Sequence, residues 1–236
     1  MKYTYKEQQE YNAIHKTCSF VYNGNCGLQY VYPWITARSA LPKNEKAAYQ
    51  ALLALERRLQ KFPELAEEFC EQIQAMIDRG VAVEISDDEL QNWTGDYYYL
   101  NLLGVKGKDG KDLRVVFDAA RRHGGYPSIN DCLAKGPDNF MNNGVLPVLL
   151  GFRNGRVAAV ADLKKFHNQV HLVQEDIHMQ RFYWRDMKTN EPLKTFAVVA
   201  VNFGVKPANC IATSALHKSA DLFADKYPLE SEEIKQ

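Results

Sequence analysis

The residues best suited to chemistry follow a short apolar run in the second half of the chain. Residues 157–160 form the run, and a single carboxylate, Asp162, comes two residues later. Four to eight apolar residues bounded by turn signals are typical of a buried strand. A carboxylate just past such a strand lies at a sheet rim, where its oxygens suit a hard cation. Ordinary turn and capping roles use the same residue type at the same place.

Two histidines close behind Asp162 have a spacing that would suit a metal ion. His167 and His171 are four residues apart and would share one face of a helix. Neither an HExxH pattern nor a third ligand lies nearby, whereas a zinc site needs at least three protein ligands. We therefore expect these two side chains to pack or to face solvent.

A basic cluster lies at the tip of a predicted β-hairpin. Residues 97–105 and 113–117 read as two strands joined by an Asp-Gly turn. Lys106 and Lys108 lie at the turn, and Arg114 lies on the return strand. Lys and Arg supply charge and N–H donors to phosphate oxygens, so the hairpin could clamp an anionic ligand. A solvated turn explains the same pattern.

Two helices are predicted ahead of this hairpin. Asn44 is a candidate N-cap for the first, and Pro63 begins the second, which stops at Gly80. Apolar residues recur at helical spacing in both, namely Ala48, Leu52, Leu55, Leu59, Leu65, Phe69, Ile73, Met76 and Ile77.

Further elements are predicted downstream of the hairpin. A short helix is expected over residues 138–153, and residues 181–184 and 193–201 are strand candidates. The polar segment between the two strands predicts an antiparallel pair. Phe203 and Gly204 then break the second strand, and a helix follows over residues 207–223. Strands mixed with segregated helices indicate an α+β fold.

Composition narrows the class of protein. The chain has 236 residues, 46% of them hydrophobic, and a formal net charge of +0. The net charge therefore gives no indication of nucleic-acid binding. The five cysteines are scattered without zinc spacing, which predicts reduced intracellular thiols. Because the N-terminus is polar, we expect no signal peptide. Because the sequence has no long apolar run, we expect no membrane span. We expect a cytoplasmic protein, with a retroelement particle or the nucleus as alternatives.

Six segments carry a family likeness, and they are YPW with LPKNEKAAYQALLALERRLQKFPELAEEFCEQI, LRVVFDAA, PSINDCLAKGP, VAAVADLKKFHNQV, EDIHMQRFYWRD and VNFGV. In this order and at these spacings, the chain resembles the reverse transcriptase of BEL/Pao-type retrotransposons from about residue 18 onward. The resemblance implies a helical lead-in over residues 40–80, a fingers-like part over 81–155 and a truncated palm over 156–236. It also implies a mixed or antiparallel sheet with packed helices.

The resemblance implies roles for the candidate residues. Asp162 would be the first catalytic carboxylate, holding Mg²⁺ (or Mn²⁺) with the backbone oxygen of Leu163. Lys106, Lys108 and Arg114 would face the triphosphate of the incoming nucleotide. The implied reaction is two-metal phosphoryl transfer, in which the ions stabilise the attacking and leaving oxygens.

Other positions either match the family or depart from it. Phe203 and Gly204 would lie beside the template and the incoming dNTP, and Gln169 matches the family's glutamine. In the family, an aromatic residue at this position screens the sugar 2′-position, and His167 replaces it here. Selectivity between deoxy- and ribonucleotides is therefore not implied. The proline expected in the last helix is replaced by Asn209.

The family's Tyr/Phe-x-Asp-Asp motif is absent, and the family places it just beyond the final EEIKQ. Asp162 alone would leave two close cations without most of their ligands. We therefore expect a fragment of an RNA-directed DNA polymerase that is inactive alone, although the complete enzyme would bind template-primer and dNTP. A non-catalytic relic or a domesticated nucleic-acid or protein-interaction module is the alternative. Without the motif's hairpin, residues 157–160 would be an uncovered edge through which the chain self-associates.

Overall fold

The computed structural model describes residues 5, 9–10, 21–22, 28–106, 113–136, 145–153, 157 and 162–235. These residues form short strands, longer helices and the loops between them. The α-helices there are α1 (Glu45–Leu59), α2 (Pro63–Asp78), α3 (Asp87–Asn92), α4 (Ile129–Cys132), α5 (Val145–Phe152), α6 (Gln174–Ile177), α7 (Ala208–Leu222) and α8 (Pro228–Lys235). The strands are β1 (Val21–Tyr22), β2 (Leu28–Tyr30), β3 (Ala82–Glu84), β4 (Asn101–Lys106), β5 (Leu113–Asp118), β6 (His171–Leu172), β7 (Arg181–Trp184) and β8 (Lys194–Val198). None of these helices is long and apolar enough to cross a bilayer.

The described strands form three small sheets, which gives the α+β class that the sequence predicted. β3, β8 and β7 lie in that order and are antiparallel throughout. β4 and β5 form a separate antiparallel hairpin. β2 pairs with β1 antiparallel and with β6 parallel, so the first third of the chain joins a strand from the second half.

Helices α1 and α2 follow the predicted apolar pattern closely. α1 buries Leu52, Leu55 and Leu59 on one face, and α2 begins at its predicted proline. Gly80 has a φ of +67°, the left-handed conformation that ends helices and that glycine adopts without strain. Asn44 is the N-cap residue of α1, but its side chain makes no capping bond there.

Asn44 instead holds the start of the hairpin, which explains why β4 begins later than predicted. Its Oδ1 accepts the N–H of Tyr99 at 3.0 Å, and its Nδ2 donates to the Tyr99 carbonyl at 2.7 Å. Leu100 N–H donates to the Arg181 carbonyl at 2.7 Å. These bonds direct residues 97–100 toward β7 rather than β5. The hairpin tip, residues 107–112, lies outside the described residues.

The β7–β8 pair and α7 confirm the predicted antiparallel strands and the helix that follows them. β8 is the central strand of its sheet, with β3 on one side and β7 on the other. The predicted strand over residues 157–160 is wrong at its first position, since Val157 lies in a bend and is 88% exposed. Residues 158–161 lie outside the described residues, as does the first part of the helix predicted over 138–153.

A buried carboxylate joins the first third of the chain to its second half. Asp176 is fully buried and accepts hydrogen bonds from the Tyr32 backbone N–H at 2.6 Å and from Trp34 Nε1 at 2.7 Å. The Arg38 guanidinium forms an ion pair with it at 2.7 Å. Burial raises the pKa of Asp176, while the charge of Arg38 opposes that rise. This group fixes the YPW segment against the EDIHMQ segment.

Candidate functional site

An exposed aromatic ring beside a histidine is the centre of the candidate site. Phe203, in the turn after β8, is 73% exposed. The His167 ring meets it edge to face, with centroids 5.1 Å apart and an interplanar angle of 85°. His167 lies on a short 3₁₀ helix, Phe166–Gln169, which begins after Lys165 at a φ of 56°. Two residues 36 positions apart in sequence therefore form one surface.

The turn that carries Phe203 is pressed against the end of β5. A Cβ at Gly204 would lie 2.2 Å from the carbonyl oxygen of Phe117, so no larger residue fits at this position. Gly204 N–H donates to Asn202 Oδ1 at 3.3 Å. Because β5 also carries Arg114, the Phe203 turn and the predicted triphosphate-facing strand are in direct contact.

The basic residues predicted on the hairpin are only partly within the described region. Arg114 is exposed on β5, where it lies opposite Val105 of β4. Lys106 is the last residue of β4, and Lys108 lies outside the described residues. Exposed lysines also flank the Phe203 surface in sequence, at positions 164, 165 and 206. The described part of the site therefore combines an aromatic face with basic neighbours.

Among the described residues, the structure shows no metal centre at Asp162. Asp162 is exposed, as is Leu163 at 52%, and both precede the 3₁₀ helix that carries His167. Among the described residues, no three His, Cys, Asp or Glu side chains come together as a metal site would require. The one Asp-Asp pair in the sequence, Asp87-Asp88, belongs to the acidic first turn of α3.

The structure separates the histidine pair. His171 lies in β6, where it pairs with Gln29 of β2, and only His167 is in a helical turn. The two rings therefore do not share a helical face, because an extended strand follows directly after the 3₁₀ helix. His167 Nε2 lies 2.8 Å from Asn209 Oδ1 of α7 instead. Gln169, at the end of the 3₁₀ helix, is exposed.

Sequence reasoning missed three buried residues that are joined by hydrogen bonds behind the site, namely Asn202, Tyr32 and Gln180. Asn202 is 4% exposed, and its backbone N–H donates to the Tyr32 hydroxyl at 3.3 Å. The Tyr32 hydroxyl in turn donates to Gln180 Oε1 at 2.8 Å. These residues come from three separated segments, and local periodicity carries no signal for such contacts.

Asn130 is another residue that sequence reasoning passed over. It lies in the PSINDC segment, whose Ser128 and Asp131 form a capping box that starts α4. That Ser-x-x-acid pattern is visible in the sequence, and it marks a fixed helix start beside the site.

The sequence matches no protein family model and no curated protein. The function of the chain must therefore be inferred from its own residues. The features available are the exposed Phe203 ring, the His167 ring beside it, the basic neighbours and the contact with β5.

Proposed function

We propose that the chain is the fingers and incomplete palm of a BEL/Pao-type retrotransposon reverse transcriptase, and that its Phe203 surface binds template-primer. The contact between His167 and Phe203 supports this most, since it joins two of the six family-like segments at one exposed surface. The antiparallel hairpin β4–β5 is the second support, since Arg114 is exposed on β5 and the end of the same strand contacts the Phe203 turn.

The chemistry of this surface suits a nucleic acid. Every base has an apolar face, and stacking on an exposed aromatic side chain contributes about 1–3 kcal/mol per base. Phe203 offers such a ring. Lys164, Lys165 and Arg114 supply exposed positive charge for phosphate oxygens. Binding through these groups would be salt-sensitive and largely independent of sequence.

The described residues do not fit a two-metal centre on their own. Asp162 is exposed, and no group of three metal-ligating side chains forms around it among the residues that the structure describes. Mg²⁺ or Mn²⁺ is therefore proposed for the complete enzyme, where Asp162 and the backbone of Leu163 would be ligands. No catalytic step is assigned to this chain.

A non-catalytic nucleic-acid-binding module is the second candidate. The exposed position of Asp162, with no group of three metal-ligating side chains around it among the described residues, favours it, while the aromatic and basic surface serves both candidates equally. Primer extension separates them, because the second candidate would have no polymerase activity even when joined to the missing motif.

Titration of a labelled RNA–DNA template-primer tests the proposed surface. We expect Phe203→Ala to weaken binding at least about fivefold, because one stacking contact is lost. Phe62→Ala is the matched control, since Phe62 is 57% exposed at the start of α2. Equal affinity of the wild type and both variants would overturn the proposal.

A further inference from the structure

Asn130 joins three segments of the chain around the Phe203 turn. Its backbone N–H donates to the carbonyl of Ala119, just past β5, at 3.0 Å. Its Nδ2 donates to the carbonyl of Gly204 at 3.1 Å. Its Oδ1 accepts the backbone N–H of Lys206 at 2.7 Å. The side chain therefore uses both its donor and its acceptor on the same turn.

The position of Asn130 is itself fixed. The residues on either side are Ile129, 1% exposed, and Asp131 of the capping box. Asp131 accepts two hydrogen bonds from Arg122, both at 2.8 Å. Asn130 is therefore held at the start of α4 by contacts that do not involve the Phe203 turn.

We infer that Asn130 is a positioning residue that sets the location of the Phe203 ring for nucleic-acid binding, an inference that rests on the proposed function. The ring is 73% exposed, so packing around it does not determine its position. The backbone on its C-terminal side is held by Asn130 at Gly204 and Lys206. An amide suits this position because it places a donor and an acceptor on separate atoms, one for each bond.

The free protein provides the first test. We compare the wild type with Asn130→Ala, Asn130→Asp and the control Asn190→Ala, an exposed asparagine between β7 and β8. Amide exchange at Lys206 should accelerate at least about tenfold in Asn130→Ala, because that N–H loses its acceptor. Asn130→Asp keeps the acceptor, so its Lys206 exchange should stay near the wild-type rate. Unchanged exchange in Asn130→Ala would overturn the inference without any ligand.

Template-primer with 2-aminopurine at the first unpaired template position provides the second test. The wild type should quench its fluorescence by stacking, and Phe203→Ala should not. Asn130→Ala and Asn130→Asp should both behave like Phe203→Ala, with binding at least about fivefold weaker, because both lose the bond to Gly204. Asn190→Ala should match the wild type.

The two tests separate the two ideas. If Phe203→Ala loses quenching while both Asn130 variants retain it, the positioning role is wrong and the proposed function stands. If the wild type itself neither binds nor quenches, the proposed function is wrong. In that case the Lys206 exchange rates still decide whether Asn130 holds the turn.

Discussion

His167 and Asn209, which stand where the proposed family would have an aromatic residue and a proline, are hydrogen-bonded to each other. His167 Nε2 lies 2.8 Å from Asn209 Oδ1, and the His167 ring edge also contacts Phe203. A proline at position 209 would have no side-chain acceptor for this bond. The two departures are therefore parts of one local arrangement rather than unrelated changes.

This bond predicts the tautomer of His167. Since Asn209 Oδ1 accepts a hydrogen bond, the neutral ring carries its proton on Nε2 and leaves Nδ1 as an acceptor. Long-range ¹H–¹⁵N spectra at alkaline pH should show the Nε2–H form in the wild type and a mixture in Asn209→Ala. A wild-type ring protonated mainly on Nδ1 would mean that Asn209 donates rather than accepts.

Polymerase activity should be absent from this chain. Asp162 belongs to no group of three metal-ligating side chains among the described residues, and two closely spaced cations repel each other unless several ligands hold them. We expect no primer extension with Mg²⁺ or Mn²⁺ by gel assay. Template-dependent incorporation that disappears in Asp162→Asn would reveal a complete metal site built in another way.

The hairpin should contribute to nucleic-acid binding through charge. With a net charge of +0, we expect an affinity of about 10⁻⁶–10⁻⁴ M, as for non-specific binders, that falls as salt increases. The double variant Lys106→Ala with Arg114→Ala should bind more weakly and show a shallower salt dependence. Titrations at two salt concentrations measure both effects.

A control with the same charge change is available on α1. Lys46 and Arg57 are exposed there, so their double alanine variant should bind almost as the wild type does. If the hairpin variant binds no worse than this control, the hairpin is a solvated turn and makes no phosphate contact.

Local patterns predicted the elements well but not the contacts between them. Apolar spacing placed α1 and α2 because their inner faces pack on the core. No local pattern shows that Asp176 bonds Tyr32 across 144 residues, or that Asn44 holds Tyr99 instead of capping its own helix. Residue types predicted only a strand break at Phe203 and Gly204, and the family likeness made them site candidates, whereas the support from Asn130 depends on a tertiary contact.

Folding stability should fall as the pH drops from 6.5 toward 4. His178 is fully buried between Trp93, with ring centroids 3.6 Å apart, and Arg181. Burial and the charge of Arg181 lower the pKa of His178 from 6.5 to about 4. Below pH 6.5 the unfolded chain therefore binds a proton that the folded chain does not. We expect a loss of about 1.5 kcal/mol between pH 6.5 and 5 in urea unfolding.

The variant His178→Asn isolates this effect. Burial and the neighbouring Arg121 also lower the pKa of His123, but that contribution is present in both proteins and cancels in their difference. The unfolding free energy of His178→Asn should therefore change less over this pH range. Equal pH dependence in the two proteins would show that His178 is not buried in its neutral form.

The second half of the chain should be its least stable part and should self-associate. The inner face of α7 is better covered than the sequence suggested, since Ile211 and Ala212 are fully buried. Apolar side chains are instead exposed on a C-terminal patch, defined by Leu222 and Phe223 at the end of α7 and by Leu229 and Ile234 of α8. A groove of about 320 Å³ lies between these helices.

Exposed apolar patches of this kind promote association between chains. Light scattering should give a mass above that of one chain, and hydrogen exchange should be fastest over residues 156–236 while residues 45–79 stay protected. Phe223→Glu with Leu229→Glu should reduce the mass, whereas Ile35→Glu, at a 54% exposed position outside the patch, should not. A clean monomer with amide protection over residues 156–236 as strong as over residues 45–79 would contradict this prediction, and the truncated-palm interpretation would then be wrong.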